Sequence, residues 1–103
     1  MPLYSIIGRD HADGLQRRLA ARPRHVALGD QLAHEGKLLF GAAIIEDEQM
    51  KGSILIGNFE NRAALQEWLD IEPYLLDNVW AEVTIDELRV GPTFADRFRV
   101  PPR

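Results

Sequence analysis

The succession of apolar periods along the chain, from period two to about 3.6 and back, restricts what it can fold into more than any single motif does. From Leu3 to Gly8 a short β-branched run suits a buried strand, which Gly8-Arg9-Asp10-His11 ends. Helical character starts near Gly14, and Pro23 is placed to open a fresh helical segment, where its missing N–H costs nothing. Val26, Leu28, Gly29, Leu32 and Ala33 then carry an apolar stripe that stops near Gly36. Two apolar runs, Lys37 to Ile45 and Gly52 to Phe59, flank the polar segment Glu46 to Lys51 and read as the arms of a hairpin. Asn61 is set to cap a second helix carrying Ala64, Leu65, Trp68 and Leu69. Pro73 biases Glu72 away from helical geometry and ends that helix, and a short helical turn runs on through Leu76. Last, Ala81, Val83 and Ile85 alternate with Glu82, Thr84 and Asp86 as a half-buried strand does.

The order β-α-β-β-α-β is that of the ferredoxin-like plait, an α+β fold with an antiparallel sheet ordered 4-1-3-2 and both helices on one face. The inner strands are apolar at successive positions, as in Ile54-Leu55-Ile56, so the face without helices is apolar as well. Such a face calls for a partner, and the expectation is a homodimer or larger homo-oligomer, a dimeric α+β barrel with two sheets packed together. Residues 1–90 are expected to form the domain, and residues 91–103, with three prolines and scattered charge, a C-terminal arm.

A chain of 103 residues, 46% of them hydrophobic, makes one domain with a modest core. Its 12 Lys and Arg against 16 Asp and Glu give a net charge of -4, which offers no broad attraction to nucleic acid. Only Arg17 to Arg24 is locally basic. The absence of cysteine excludes disulfides, thiolate catalysis and thiolate metal sites, and fits a reducing cytoplasm. The first residues lack the features of a signal peptide and no apolar run approaches a membrane span, so a soluble protein is expected. His11, His25 and His34 do not have the spacing of a metal site, and Gly8, Gly14 and Gly41 do not form a phosphate-binding loop. No metal or other cofactor is expected.

His25 is the main catalytic candidate, with Asp10 at the end of the first strand as its expected carboxylate partner. A histidine held by a carboxylate transfers protons near neutral pH. Arg18 and Arg22 are candidates for gripping an anionic substrate by bidentate contact, and Tyr74 for offering a phenol to the same pocket. Each has a plainer reading. His25 can be a helix-edge residue bonded to a backbone carbonyl, and Asp10 a helix cap in competition with Asp13. The arginines can be solvated or paired with nearby carboxylates, Tyr74 can pack over the sheet edge, and Trp68 and Trp80 read as core or interface residues.

Several stretches together resemble the YciI-like family of small ferredoxin-like proteins. They are Tyr4-Ser5-Ile6-Ile7 ending at Asp10, then Leu15-x-x-Arg18-Leu19-x-x-Arg22-x-x-His25, Gly36-Lys37-Leu38-Leu39, Gly52-Ser53 and Glu72-Pro73-Tyr74. The resemblance implies a dimeric α+β fold with a His-Asp site at His25 and Asp10, and a pocket to which Glu72 and Tyr74 contribute. It also implies similarity to a dehydrochlorinase acting on chlorinated hydroxyhydroquinones and, by fold, to muconolactone isomerases. The chain departs from the family in having Glu72 for the usual Asp, a short connection between the second and third strands, and Asp86-Glu87-Leu88 where the family carries a basic tail.

Two function classes follow. In one, His25 and Asp10 carry out lyase or isomerase chemistry on a small anionic, aromatic or lactone-like substrate, held by Arg18, Arg22, Glu72 and Tyr74. In the other, the same cleft binds a small anion without turning it over, and the dimer is a sensor or accessory subunit.

Overall fold

The structure is a computed structural model that describes residues 2–98. Four strands, β1 (Leu3–Asp10), β2 (Leu38–Glu46), β3 (Gln49–Asn58) and β4 (Trp80–Leu88), form one antiparallel sheet in the order β2-β3-β1-β4, the expected 4-1-3-2 read from the other edge. Helices α1 (Leu15–His34), α2 (Arg62–Leu69) and the single turn α3 (Pro73–Leu76) complete the α+β domain. A 3-10 helix, Pro92–Phe98, occupies the first part of the expected arm and exposes its side chains, while residues 99–103 lie outside the described chain. Among the described residues no helix is long and apolar enough to cross a membrane.

Alternation along β1 sorts its side chains. Tyr4, Ile6 and Gly8 are buried against the helices together with Leu55 of β3, Ala21 and Leu32 of α1, and Leu65 and Trp68 of α2. Ser5 and Ile7 turn to the opposite face, in register with Ile56 and Ile54, and Phe40 and Ala42 of β2 extend that face to the sheet edge. Phe40 is 49% exposed there. The glycine at position 8 is required by packing, because a Cβ would stand 2.4 Å from the Trp80 ring. Gly8→Ala is expected to destabilise the domain by about 1–3 kcal/mol through overpacking, read as a lower urea midpoint at unchanged slope.

Three local expectations need correction. Pro23 does not begin a new segment; α1 is one helix of 20 residues with Pro23 inside it. Buried Arg18 and Ala21 before the proline and Leu32 after it fix both halves against the same sheet, so tertiary packing overrides the missing hydrogen bond. Neither Asp10 nor Asp13 caps this helix: Gly14 is the N-cap residue with no side-chain bond, and Asp13 pairs with Arg17 at 3.2 Å instead. The hairpin connection is only Asp47-Glu48, both at positive φ (51° and 65°), because strand pairing continues to Glu46 opposite Gln49. That is the geometry of a tight primed turn, hidden in the sequence by the absence of the usual Asn-Gly or Asp-Gly signal.

Candidate active site

Along α1, Arg18, Arg22, His25, Gly29 and Ala33 recur every three or four residues and line one side of a cleft of about 380 Å³. The other walls are Leu38 to Ala43 of β2, Met50, Ser53 and Leu55 of β3, and Glu72 and Tyr74 at the start of α3. The cleft is open and mixed in character, with Arg18, Arg22 and His25 toward one end and Asp30 toward the other.

Arg18 is 3% exposed. Its Nη1 donates to both Asp10 oxygens, at 3.0 and 3.1 Å, its Nη2 donates to Ser53 Oγ at 2.9 Å, and its guanidinium carbon lies 4.7 Å from the centre of the Tyr74 ring. Arg18 Nε is buried without a partner among the described residues. Ser53 Oγ also accepts from Trp80 Nε1 at 3.3 Å, so a strand serine and a core tryptophan hold the guanidinium in place. Burial pushes the Asp10 carboxyl above its usual range, and the neighbouring Arg18 charge only partly offsets this.

His25 stacks on Tyr74, with ring centres 3.9 Å apart and planes 10° from parallel, and meets the edge of Trp80. Its Nδ1 is hydrogen-bonded to Glu72 Oε1. Glu72 is 1% exposed and immobilised twice more: Oε2 accepts from Trp68 Nε1 at 3.1 Å, and Oε1 accepts from the Tyr74 backbone N–H at 3.2 Å as the N-cap of α3. With Nδ1 donating to a carboxylate, Nε2 is the nitrogen left for proton transfer. The expected His25–Asp10 contact is not formed. Seven residues of α1 separate Arg18 from His25, about 10 Å along the axis, so the end of β1 reaches the arginine and the start of α3 reaches the histidine.

The other candidate residues divide. Arg22 is exposed and lines the cleft beside His25. Glu72, expected on a substrate, has both oxygens occupied by protein donors. Tyr74 is buried, and desolvation raises its phenol above the ordinary value of 10 against the pull of Arg18. Because the unfolded chain ionises first, the Tyr74 contribution to stability is complete below about pH 10 and is lost as the pH rises through the raised value. An absorbance titration should therefore show one phenol ionising late in the wild type and missing in Tyr74→Phe. Among the described residues no three His, Asp or Glu side chains gather where a metal ion could sit.

The profile of the YCII-related domain matches residues 2–89. The chain belongs to the YCII-related family. Protein YciI of Escherichia coli is 36% identical over 90 residues, covering 81% of this chain and 92% of that protein. An uncharacterized protein of Haemophilus influenzae is 35% identical over 89 residues, covering 80% and 91% respectively. Among solved structures, the 5-chloro-2-hydroxyhydroquinone dehydrochlorinase of Burkholderia phenoliruptrix, in complex with 2,5-dihydroxybenzoquinone, superposes with a TM-score of 0.79. It is 22% identical, with 88% of this chain and 97% of that one covered, and so shares the fold.

In this YCII-related domain the side chains that sequence reading left without a role are the ones that hold the site together. Ser53 is a small polar residue directly before the apolar run Ile54-Leu55-Ile56 and carries no periodic signal. Trp68 and Trp80 are core residues, as read, whose indole N–H groups also fix Glu72 and Ser53. The carboxylate before Pro73 was the available signal for Glu72, since an acidic residue preceding proline at a helix start is placed to cap it.

Proposed function

We propose that the cleft binds a small anionic, aromatic or quinone-like molecule and turns it over by general acid-base catalysis of lyase or isomerase type, with His25 as the proton-transfer group. The observation that carries this reading is the pairing of His25 Nδ1 with a buried, triply bonded carboxylate inside a cleft that also presents Arg18 and Arg22. Glu72 fixes the tautomer and stabilises the imidazolium as it forms. Arg18, held rigid by Asp10 and Ser53, and the exposed Arg22 attract the substrate oxyanion. Asp10 thus acts through Arg18. The fold shared with a dehydrochlorinase supports the choice of substrate class.

The test is chloride release from 5-chloro-2-hydroxyhydroquinone, together with calorimetric binding of 2,5-dihydroxybenzoquinone. Turnover that is lost in His25→Gln while binding is retained is the expected result. Binding without chloride release from any related chlorohydroquinone would leave the anion-binding reading, and absence of both would remove the substrate class.

The same reading includes self-association. Ile7, Ile54, Ile56 and Phe40 form an apolar surface on the sheet face that carries no helix, and a second copy packed there would bury it. Light scattering is expected to give twice the 11.7 kDa chain mass at micromolar concentration. A monomer under those conditions refutes the dimer.

A further inference from the structure

Building on the anion-binding reading above, we infer that the cleft takes an elongated amphipathic anion, whose uncharged apolar substituent lies along Gly29 and Ala33, with Gly29 setting the size it accepts. The cleft volume of about 380 Å³ is more than twice the roughly 150 Å³ of a protein cavity known to hold one benzene ring. One ring beside His25 therefore leaves a compartment over. Its composition is asymmetric. Arg18, Arg22 and His25 supply the cationic end, where the buried Arg18 Nε still lacks an acceptor. Farther along α1 the lining changes to Gly29 and Ala33, with Leu38 and Leu55 contributed by the sheet.

Gly29 is the residue that packing does not explain. Glycine is the least favourable helix-interior residue after proline, yet Gly29 has no positive φ, and a Cβ built on it meets nothing within 4 Å. At about 100° per residue it projects about 20° from Arg18, between Arg22 and His25, and lies about 6 Å beyond His25 along the axis. The side chain it lacks is space inside the cleft. Asp30, exposed at the rim, disfavours a second negative charge at this end, so the substituent is apolar and neutral.

The test compares benzoate with 4-butylbenzoate by calorimetry and amide chemical-shift titration. These probes share one charge and one ring and differ only in the alkyl chain. Wild type is expected to bind 4-butylbenzoate about tenfold more tightly than benzoate, a gain consistent with partial burial of the chain. Gly29→Leu should bring that ratio close to one, as befits filling of the space the alkyl chain occupies. Ala33→Leu, one turn on, is a second variant with the same expected effect. Benzoate binding with a wild-type ratio near one overturns the apolar compartment and leaves the anion site standing. A ratio preserved in both leucine variants overturns the assignment to Gly29 and its neighbour. Failure of wild type to bind benzoate at all removes the anion site, and this inference with it.

Discussion

Asp10→Ala is expected to destabilise the domain by about 3–5 kcal/mol, and adding Arg18→Met to an apolar replacement at position 10 to recover most of the loss. The reason is asymmetry. Arg18 and Asp10 have side chains only 3% and 2% exposed, so removing the carboxylate strands a guanidinium that the interior cannot solvate. Removing both charges relieves two desolvation penalties, and Ser53 Oγ still has the Trp80 indole N–H as a partner. For a domain of this size each kcal/mol is worth about 4–8 °C in Tm, so the single variant should melt far below the double one. The double variant is also expected to lose affinity for benzoate, because the cationic end of the cleft goes with Arg18. A double variant that is less stable than Asp10→Ala would show that the pair itself holds the fold.

The pH dependence of this pair has a definite sign. Burial raises Asp10 above its ordinary value of 3.8, so in the acid range the unfolded chain loses this proton before the folded one does. The contribution of Asp10 to stability is complete below that ordinary value and declines as the pH rises through the raised one. Relative to Asp10→Asn, wild type should therefore lose stability as the pH is raised from about 4. Above that range the ionised Asp10 is held beside Arg18 against its desolvation penalty.

The strands and their order were legible because alternation in β1 and β4 and the twin apolar runs of β2 and β3 each report a face that must be buried. The family resemblance rested partly on β1, β2 and β3 and partly on Leu15 to His25 of α1 and on Glu72-Pro73-Tyr74. Which carboxylate serves His25 was not legible, because the partner is decided by how far α1 travels across the sheet and by where the turn after α2 returns. The residues Asp10, Arg18, His25 and Glu72 were all named, yet the one pairing expected, His25 with Asp10, is not formed: Asp10 serves the arginine and Glu72 the histidine. Pro23 misled for a related reason, since propensity marks a local cost and only the packing of Ala21 and Leu32 shows that the helix bears it. Gly29 read as one more member of an apolar stripe, and its meaning depends on the empty space beside it.

Glu72→Gln is expected to cut kcat for chloride release by about 10²–10⁴-fold with KM changed little, while Glu72→Ala is expected to lose about 3–5 kcal/mol of stability as well. The two outcomes separate the tasks of one side chain. Alanine abandons the Trp68 indole N–H and the Tyr74 backbone N–H in the interior, each an unsatisfied donor, and deprives α3 of its cap. Glutamine keeps the shape and one carbonyl acceptor, so it strands only the donor facing its NH2 and costs less stability than alanine, but it removes the charge that orients His25 Nδ1–H and stabilises the imidazolium. Under the proposed function substrate affinity should persist, because Arg18 and Arg22 are untouched. Glu72→Asp restores the charge one methylene short and is expected to recover most of the lost kcat. A glutamine variant with wild-type kcat across the pH range would reduce Glu72 to a structural cap and remove its role as the partner of His25.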